Sequence, residues 1–225
     1  MMRSFENRKD TAVLDEPFYA HYLSITGLNH PGRDQILDFQ STSWDEVVQK
    51  CTNPNFQEKI LSYQKHMAQH NLRGFDISWI KDVQNCILIR DPKHVIASYE
   101  NKYPVQDERY LGYIQQAEII EFLEKENSTT PPIIDADDIL KNPESMIKKL
   151  CKVLDIAFYP SMLSWPKGAR DSDGVWGPYW YEGVYDSTGF KPYTEKEVSL
   201  NDNLTYIYES CNKYYDSFYK RRLKL

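Results

Sequence analysis

An arginine and a serine, eight residues apart, offer the clearest chemistry in this sequence. Arg90 ends the apolar run at residues 86–90, and Asp91-Pro92 follows at once. Because Pro92 suits the first position of a helix and Asp91 its N-cap, Arg90 is predicted at a strand end and Ser98 on the new helix. A guanidinium and a hydroxyl beside a helix N-terminus can bind a terminal phosphate. The alternative is that Arg90 pairs with a structural carboxylate and Ser98 faces solvent.

Two further junctions hold residues that can move protons or neutralise charge. Glu16 follows a β-prone segment at residues 11–14, and Lys65-His66 follows a segment at 60–64. Parallel sheets bind ligands beyond the carboxyl ends of their strands, which is where all three junctions are expected to lie. The segment at 60–64 is ambiguous, because its pattern also permits a helix.

Short apolar strands alternate with helical stripes along the chain, which indicates an α/β fold with a parallel sheet and helices on its faces. The strand signals are residues 11–14, 60–64, 86–90 and 133–134. The helical patterns lie at residues 110–124, 146–154 and 204–218. A loop is predicted at residues 128–132, and an irregular region rich in aromatic residues at 160–192.

Length and composition exclude several classes of protein. A chain of 225 residues suits one large domain or two small ones, and its net charge of −6 argues against bulk nucleic-acid binding. The apolar runs are far shorter than the roughly 18 residues of a membrane span, and residues 1–20 lack the apolar core of a signal peptide. The cysteines, at positions 51, 86, 151 and 211, form no C-x-x-C pair. A cytoplasmic protein with reduced thiols is therefore expected, with neither a nucleic acid nor a membrane as partner.

The histidines give little sign of a metal site. His66 and His70 are four residues apart, a spacing that metal ligands use on one face of a helix. No third ligand or intervening glutamate accompanies them, so no metal is predicted. We expect His70 and His94 at the surface, and His30, in a turn before Pro31, in a structural role.

The stretch LIRDPKHVIASY, residues 88–99, resembles the 3′-phosphate-binding motif of sulfotransferases that use 3′-phosphoadenosine 5′-phosphosulfate (PAPS). The resemblance places Arg90 and Ser98 on the 3′-phosphate of the nucleotide. Other family elements resemble VLDEPF at residues 13–18, YQKHM at 63–67 and IDADDIL at 134–140. The similarity covers most of the chain, from about residue 1 to residue 154 and more loosely beyond. It extends to a bacterial-type subfamily that also occurs fused to aminotransferase domains. The sequence itself carries no pyridoxal-phosphate signature.

This resemblance implies a fold and a reaction. The fold is a three-layer α/β sandwich with a P-loop NTPase-like parallel sheet, formed as a single domain over residues 1–225. The reaction transfers a sulfuryl group from PAPS, without a metal, to a hydroxyl group of an acceptor that the sequence does not identify. Glu16 is then the first candidate for the base, Lys65 for the cation that stabilises the sulfuryl group, and His66 for an alternative base. A structural pairing of Glu16 and a surface position for Lys65 are the alternatives.

Further residues take roles by the same resemblance. In the family a basic loop near the C-terminus closes over the nucleotide, and Lys167 and Arg170 are the candidates for this role. His21 is a candidate for the lining of the acceptor pocket. Trp176 is a candidate for stacking on an adenine or acceptor ring, and the alternative is an aromatic cluster that packs its loop onto the sheet.

One family element is not found in the sequence. The phosphosulfate-binding loop, roughly G-x-P-R-x-x-T, has no match, and residues 1–8 resemble the helix that follows it. We therefore expect the first strand of the sheet to be missing, as in a truncated chain or one whose start codon has been misassigned. A non-catalytic fragment or binding module is the alternative to an active enzyme. A P-loop-like kinase of small molecules is disfavoured, because such kinases need this loop together with a Mg²⁺-binding acid.

Overall fold

A computed structural model describes residues 1–53, 59–127, 130–195 and 197–225, so the loop predicted at 128–132 lies partly outside the described residues. The chain divides into two compact units. The first contains residues 1–75 and 158–191, and the second contains residues 76–157 and 192–225. In the part of the chain that is described, no helix is both long and apolar enough to cross a membrane.

The described elements alternate helices with short strands, which confirms the α/β class. The strands are β1 (Thr11–Asp15), β2 (Leu61–Lys65), β3 (Ile87–Ile89) and β4 (Ile133–Asp135). The α-helices are α1 (Met2–Glu6), α2 (Tyr19–Thr26), α3 (Arg33–Phe39), α4 (Trp44–Thr52), α5 (Pro92–Glu100), α6 (Tyr113–Asn127), α7 (Ala136–Lys141), α8 (Pro143–Val153), α9 (Gly177–Trp180), α10 (Glu182–Tyr185) and α11 (Thr205–Arg221). Short 3-10 turns cover Ala68–His70, Ser78–Asp82, Glu108–Leu111, Pro160–Leu163 and Asp202–Leu204.

In the first unit, β1 and β2 pair in parallel, with Thr11 opposite Leu61 and Asp15 opposite Lys65. The ambiguous segment before Lys65 is thus a strand. The core of the first unit contains residues of α2 and α3 together with Trp176 and Tyr181. Val13 of β1 and Tyr63 of β2 pack against this core. Because the strands are parallel, Glu16 after β1 and His66 after β2 lie at the same edge of the sheet, beyond the carboxyl ends of the strands.

In the second unit, β3 and β4 pair in parallel, with Ile87 opposite Ile133 and Ile89 opposite Asp135. Ile87 and Ile89 face α6 and α11, where Ile120 and Phe218 are buried against them. Alternate residues of a strand point to opposite faces, so Ile87 and Ile89 lie on the same face and pack β3 against these helices.

The helical stripes read from the sequence are buried as predicted in α8 and α11. The buried residues are Met146, Ile147, Leu150 and Cys151 in α8, and Ile207, Cys211 and Phe218 in α11. The helix predicted at residues 110–124 is interrupted, because Gly112 takes a left-handed conformation with φ of 81°. A 3-10 turn precedes this glycine, and α6 begins after it.

The described residues form two two-stranded parallel sheets, β1 with β2 and β3 with β4. Parallel pairing of short apolar strands is therefore confirmed. The three-layer sandwich with a P-loop NTPase-like sheet, the missing first strand and the single domain over residues 1–225 stay predictions.

Candidate functional site

The carboxyl ends of β1 and β2 carry two carboxylates and one ammonium group. Asp15 lies opposite Lys65 in the strand register, and the Glu16 N–H donates to the Lys65 carbonyl oxygen at 2.8 Å. Lys65 Nζ donates to Glu16 Oε1 and lies 3.3 Å from Asp15 Oδ1. The parallel register thus brings Glu16 and Lys65, which were both predicted from the sequence, into direct contact.

A tyrosine from the late part of the chain completes this group. Tyr181 is 7% exposed, and its hydroxyl lies 2.7 Å from Lys65 Nζ, 2.8 Å from Asp15 Oδ2 and 3.1 Å from Glu16 Oε1. We refer to Asp15, Glu16, Lys65 and Tyr181 as the acid–lysine centre. Sequence reasoning did not place Tyr181 here, because no local pattern marks a contact with a residue 116 positions away.

The backbone of Glu16 explains why two consecutive carboxylates meet one lysine. Successive strand residues point to opposite faces, but Glu16 leaves the strand in a left-handed conformation with φ of 38°. Such a conformation costs on the order of 1–3 kcal/mol for a residue other than glycine, and it is unusual before a proline, here Pro17. The side chain of Gln40 holds this turn, since its Nε2 donates to the Glu16 carbonyl at 3.1 Å and its Oε1 accepts from the Ala20 N–H at 3.2 Å.

Burial and charge shift the proton affinities within the acid–lysine centre. Burial raises the pKa of Glu16, and the charge of Asp15 adds to this effect while Lys65 opposes it. Burial alone would lower the pKa of Lys65, but the two carboxylates outweigh burial and raise it. Lys65 therefore stays protonated at neutral pH, and Glu16 takes up a proton more readily than a free glutamate does.

The two carboxylates differ in how many of their oxygens are engaged. Both oxygens of Asp15 have partners, and its side chain is 1% exposed. Glu16 Oε1 accepts from Lys65 and lies 3.1 Å from the Tyr181 hydroxyl, whereas Oε2 has no hydrogen-bond partner among the described residues and the side chain is 9% exposed. The arrangement can therefore accept a proton at Glu16 Oε2 while Lys65 holds the carboxylate in place.

His66, the alternative base, lies directly after β2. Its Nε2 is 3.0 Å from Gln64 Oε1, and Gln64 Nε2 donates to the Cys51 carbonyl at 2.7 Å. Because Gln64 Oε1 is then the acceptor, His66 Nε2 carries the hydrogen and Nδ1 is the basic nitrogen. Burial, together with the charge of Lys65, lowers the pKa of His66 to about 4, so the ring is neutral at pH 7.

The predicted acceptor-pocket residue, His21, is 2% exposed on α2. Its Nδ1 donates to the Thr42 carbonyl at 2.8 Å, which leaves Nε2 as the basic nitrogen. That nitrogen is buried and has no hydrogen-bond partner. The ring meets Trp44 and Phe75 edge to face, with centroids 5.2 and 4.4 Å away. His21 is thus enclosed by aromatic rings with one basic nitrogen unused.

His70 is not at the surface, and that expectation was wrong. It is 4% exposed and stacks on Tyr19 and Tyr22, with centroids 4.9 and 4.7 Å away. His94 is only half-buried. Because His66 follows a strand and His70 ends a 3-10 turn, the two do not share a helix face. The described ranges contain no group of three or more histidine, cysteine or acidic residues that could hold a metal ion.

The second unit contains the predicted phosphate-binding segment. Arg90 follows β3 and is exposed, and its guanidinium has no hydrogen bond or ion pair with any residue that the structure describes. Its carbonyl accepts a hydrogen bond of 2.6 Å from Tyr113. The predicted cap is confirmed, because Asp91 Oδ1 accepts the Lys93 N–H at 2.8 Å and a proline takes the first position of α5. Ser98 is exposed on the same helix.

The sequence matches the family described as "Sulfotransferase domain" over residues 1–217. The chain belongs to this family. Two curated relatives are branched-chain-amino-acid aminotransferase-like proteins 1 and 2 of Arabidopsis thaliana, which are 36% and 35% identical over 190 residues, or 84% of this chain. The match covers 34% of each relative, so the chain spans about a third of the length of the curated relatives it matches.

Two solved structures resemble this sulfotransferase domain at low identity. The sulfotransferase domain from the curacin biosynthetic pathway is 14% identical, with a TM-score of 0.41, and the match covers 85% of this chain and 77% of that one. The sulfotransferase domain from the Synechococcus PCC 7002 olefin synthase is 11% identical, with a TM-score of 0.45, and the match covers 89% and 93%.

In this sulfotransferase domain Trp176 is a core residue. It is 1% exposed, and its Nε1 donates to the Tyr181 hydroxyl at 3.1 Å. Its ring packs on Gly174, where a Cβ would come within 2.1 Å of the ring. The structure therefore gives Trp176 the packing role that the sequence left as the alternative, and the ring face predicted to stack on a ligand is covered by protein.

The two predicted basic residues of the late loop lie at or near the surface. Lys167 pairs with Asp186 at 2.9 Å, and both side chains are more than half exposed. Arg170 is partly buried and donates to a carbonyl of its own loop at 3.2 Å. The loop is fixed to α1 by an ion pair of 2.7 Å between Arg3 and Asp173, whose side chains are 3% and 4% exposed.

Proposed function

We propose that this sulfotransferase domain transfers a sulfuryl group from PAPS to a hydroxyl group of an acceptor. The observation that carries the proposal is the exposed Arg90 guanidinium, which follows β3 and has no partner among the described residues. A cation without a carboxylate partner is available to an incoming phosphate, and the capped helix α5 offers the hydroxyl of Ser98 as a second donor. We assign both residues to the 3′-phosphate of the nucleotide.

The acid–lysine centre supports the chemical step. In the proposed reaction Glu16 Oε2 takes the proton of the acceptor hydroxyl while the acceptor oxygen attacks sulfur. The new bond joins the acceptor oxygen to sulfur, and the bond from sulfur to the phosphate oxygen of PAPS breaks. Adenosine 3′,5′-bisphosphate leaves with the electron pair of that bond. His66, whose Nδ1 is basic, is the alternative to Glu16.

Lys65 has a more limited role than a free lysine would have. Its three N–H groups are directed to Glu16, Asp15 and Tyr181. It holds the base in position, and it reaches a sulfuryl oxygen only by exchanging one of these partners. The acceptor must bring its hydroxyl to Glu16.

A second candidate is a domain that binds the nucleotide without catalysing transfer. The observation that favours it is the state of Lys65, whose three N–H groups are already directed to Glu16, Asp15 and Tyr181, so that this lysine is not free to bind a sulfuryl group. The two candidates share the site at Arg90 and differ in whether sulfur is transferred.

Calorimetric titration with two nucleotides tests the shared site. Wild-type protein should bind adenosine 3′,5′-bisphosphate about 10- to 100-fold more tightly than AMP, since only the former carries the 3′-phosphate. Arg90→Ala should remove this preference and leave AMP binding unchanged. Arg109→Ala is the matched control, because Arg109 belongs to the same unit and pairs with Glu118 at 3.3 Å. An Arg90→Ala protein that still prefers the bisphosphate contradicts the assignment.

Transfer of ³⁵S from labelled PAPS to a panel of hydroxylated compounds separates the two candidates. A labelled acceptor that requires Glu16 supports the enzyme. Tight nucleotide binding with no labelled product across the panel favours the binding module.

A further inference from the structure

We infer that Tyr181 is a positioning residue, which arranges the hydrogen bonds of two adjacent carboxylates so that Glu16 and not Asp15 presents a free oxygen. This role in the reaction rests on the proposed function, whereas the hydrogen-bond network can be tested without it. Tyr181 lies between α9 and α10, in a region for which the sequence suggested only aromatic packing or stacking.

The direction of each hydrogen bond follows from the donors around the phenol. A tyrosine hydroxyl has one hydrogen and can accept from other donors. Lys65 Nζ, at 2.7 Å, and Trp176 Nε1, at 3.1 Å, can only donate. The single hydrogen of Tyr181 must therefore go to a carboxylate. Asp15 is the closer one, with its oxygens at 2.8 and 2.9 Å, while Glu16 Oε1 is at 3.1 Å.

This direction engages the two carboxylates to different extents. Asp15 receives the phenol hydrogen, a contact of 3.3 Å from Lys65 and a contact of 3.4 Å from the Gly174 N–H. Glu16 receives the ammonium group of Lys65 on Oε1, and its Oε2 has no partner in the described ranges. Both oxygens of Asp15 are thus occupied by donors. Glu16 keeps one oxygen that can accept a proton from a substrate.

Tyr181 is the neutral group of the acid–lysine centre, and the charged side chains around the centre are paired with one another. On α1, Arg3 pairs with Glu6 at 3.0 Å and with Asp173 of the late loop at 2.7 Å, so these three charges are matched with one another. His66, His70 and the α-amino group of Met1 lie close enough for the charge of Lys65 to add to the effect of burial and lower the pKa of each. Lys65 is then the cation of the centre, and Tyr181 determines how its charge is shared between the two acids.

Tyr181→Phe removes the hydroxyl and keeps the ring. Asp15 then loses its best donor and competes with Glu16 for Lys65, so the Glu16 carboxylate is less stabilised. The pKa of Glu16 should rise by about one unit, which is about a tenfold gain in proton affinity. The pH at which the transfer rate reaches half of its maximum should move upward by the same amount.

Tyr179→Phe is the matched control. Tyr179 lies on α9, two residues before Tyr181, and its hydroxyl donates to Gln35 Oε1 at 3.3 Å rather than to a carboxylate. The two variants lose the same atom from the same segment. The Glu16 pKa should be unchanged in Tyr179→Phe.

The experiment is an NMR titration of protein labelled with [5-¹³C]glutamate, in which the Glu16 signal is assigned as the one lost in Glu16→Gln. A Glu16 pKa that rises in folded Tyr181→Phe and not in Tyr179→Phe supports the inference. An unchanged or lowered Glu16 pKa in folded Tyr181→Phe overturns it. If the wild-type protein transfers no sulfuryl group while the Glu16 pKa still rises in Tyr181→Phe, that result supports the hydrogen-bond network and overturns only the proposed reaction.

If Tyr181→Phe does not fold, the wild-type protein still decides the question. A hydroxyl hydrogen held between Asp15 and two donors should exchange slowly with water. In protein labelled with [ζ-¹³C]tyrosine, Tyr181 should then give two ¹³C signals in mixed H₂O and D₂O. A single averaged signal would show fast exchange and would overturn the inference.

Discussion

Lys65 and Arg90 both follow the carboxyl end of a parallel strand, yet their surroundings are opposite. Lys65 directs its three N–H groups to Asp15, Glu16 and Tyr181. Arg90 is exposed and has no side-chain partner among the residues described. The same position in the α/β pattern thus holds one cation that is already engaged and one that is available.

Under the proposed function, Arg90 binds the nucleotide and Lys65 positions the base, so the two roles fall to different cations. Breaking a buried ion pair leaves uncompensated charge and costs several kcal/mol, so Lys65 is tied to the stability of its unit. An exposed cation without a partner contributes little to stability, so Arg90 is kept at almost no structural cost. We therefore expect variants of Lys65 to affect folding first, and variants of Arg90 to affect ligand binding first.

Glu16→Gln should have the largest effect on transfer. The amide keeps the shape of the side chain but cannot accept a proton, so the rate should fall by about 10²- to 10⁴-fold. Affinity for adenosine 3′,5′-bisphosphate, measured by calorimetry, should stay at the wild-type value and serves as the control for folding. His66→Gln tests the alternative base in the same assay. A larger loss in His66→Gln than in Glu16→Gln would transfer the role of base to His66.

Lys65→Met and Arg90→Ala should separate stability from binding. Removing Lys65 leaves two carboxylates, 1% and 9% exposed, without their shared cation. Because Lys65 itself is 27% exposed, we expect a loss near the lower end for a buried pair, about 3 kcal/mol in the free energy of unfolding. Arg90→Ala should change that free energy by no more than about 0.5 kcal/mol. Urea unfolding measures both, and equal effects of the two variants would remove the contrast.

The local half of this contrast could be predicted from the sequence. Asp91-Pro92 after an apolar run predicted the end of β3, the cap of α5 and the position of Arg90 at the strand end, because caps and strand ends depend on neighbouring residues. The sequence also placed Glu16 and Lys65 at strand ends on one edge of a parallel sheet, but it did not predict their contact with each other.

The other half depends on contacts that no local pattern encodes. Tyr181 reaches the centre from a distant segment, and Trp176 packs beneath it rather than facing a ligand. The left-handed Glu16 also ran against expectation, because a residue before proline favours an extended backbone. His70 was expected at the surface, since a histidine in a polar stretch carries no sign of the tyrosine rings that enclose it.

Acidification should weaken the first unit in particular, because it contains buried neutral histidines. Burial lowers the pKa of His30 and of His66 to about 4, and lowers that of His70 well below its usual value of 6.5. The unfolded chain binds these protons at higher pH than the folded chain does. The stability that the neutral rings contribute is therefore complete above about pH 6.5 and is lost as the pH falls toward 4.

Hydrogen exchange at pH 7 and pH 5 measures this effect by region. Amides of residues 1–75 should lose more protection at pH 5 than amides of residues 76–157, after correction for the intrinsic rates. Ile36→Val, at a fully buried position of the first unit, is the control, since it lowers stability without adding a titrating group. An equal loss of protection in both regions would contradict the prediction.

Ser98→Ala should have the smallest effect, and its two consequences have opposite signs. The serine is exposed in α5, where alanine is the better helix former, so the free energy of unfolding should rise by about 0.4 kcal/mol. If Ser98 donates to the 3′-phosphate beside Arg90, the loss of that donor should weaken adenosine 3′,5′-bisphosphate binding by about fivefold. AMP binding should not change. A serine that only faces solvent would produce the change in stability without the change in binding. A more stable protein with unaltered bisphosphate affinity would therefore leave Arg90 as the sole side chain assigned to that phosphate.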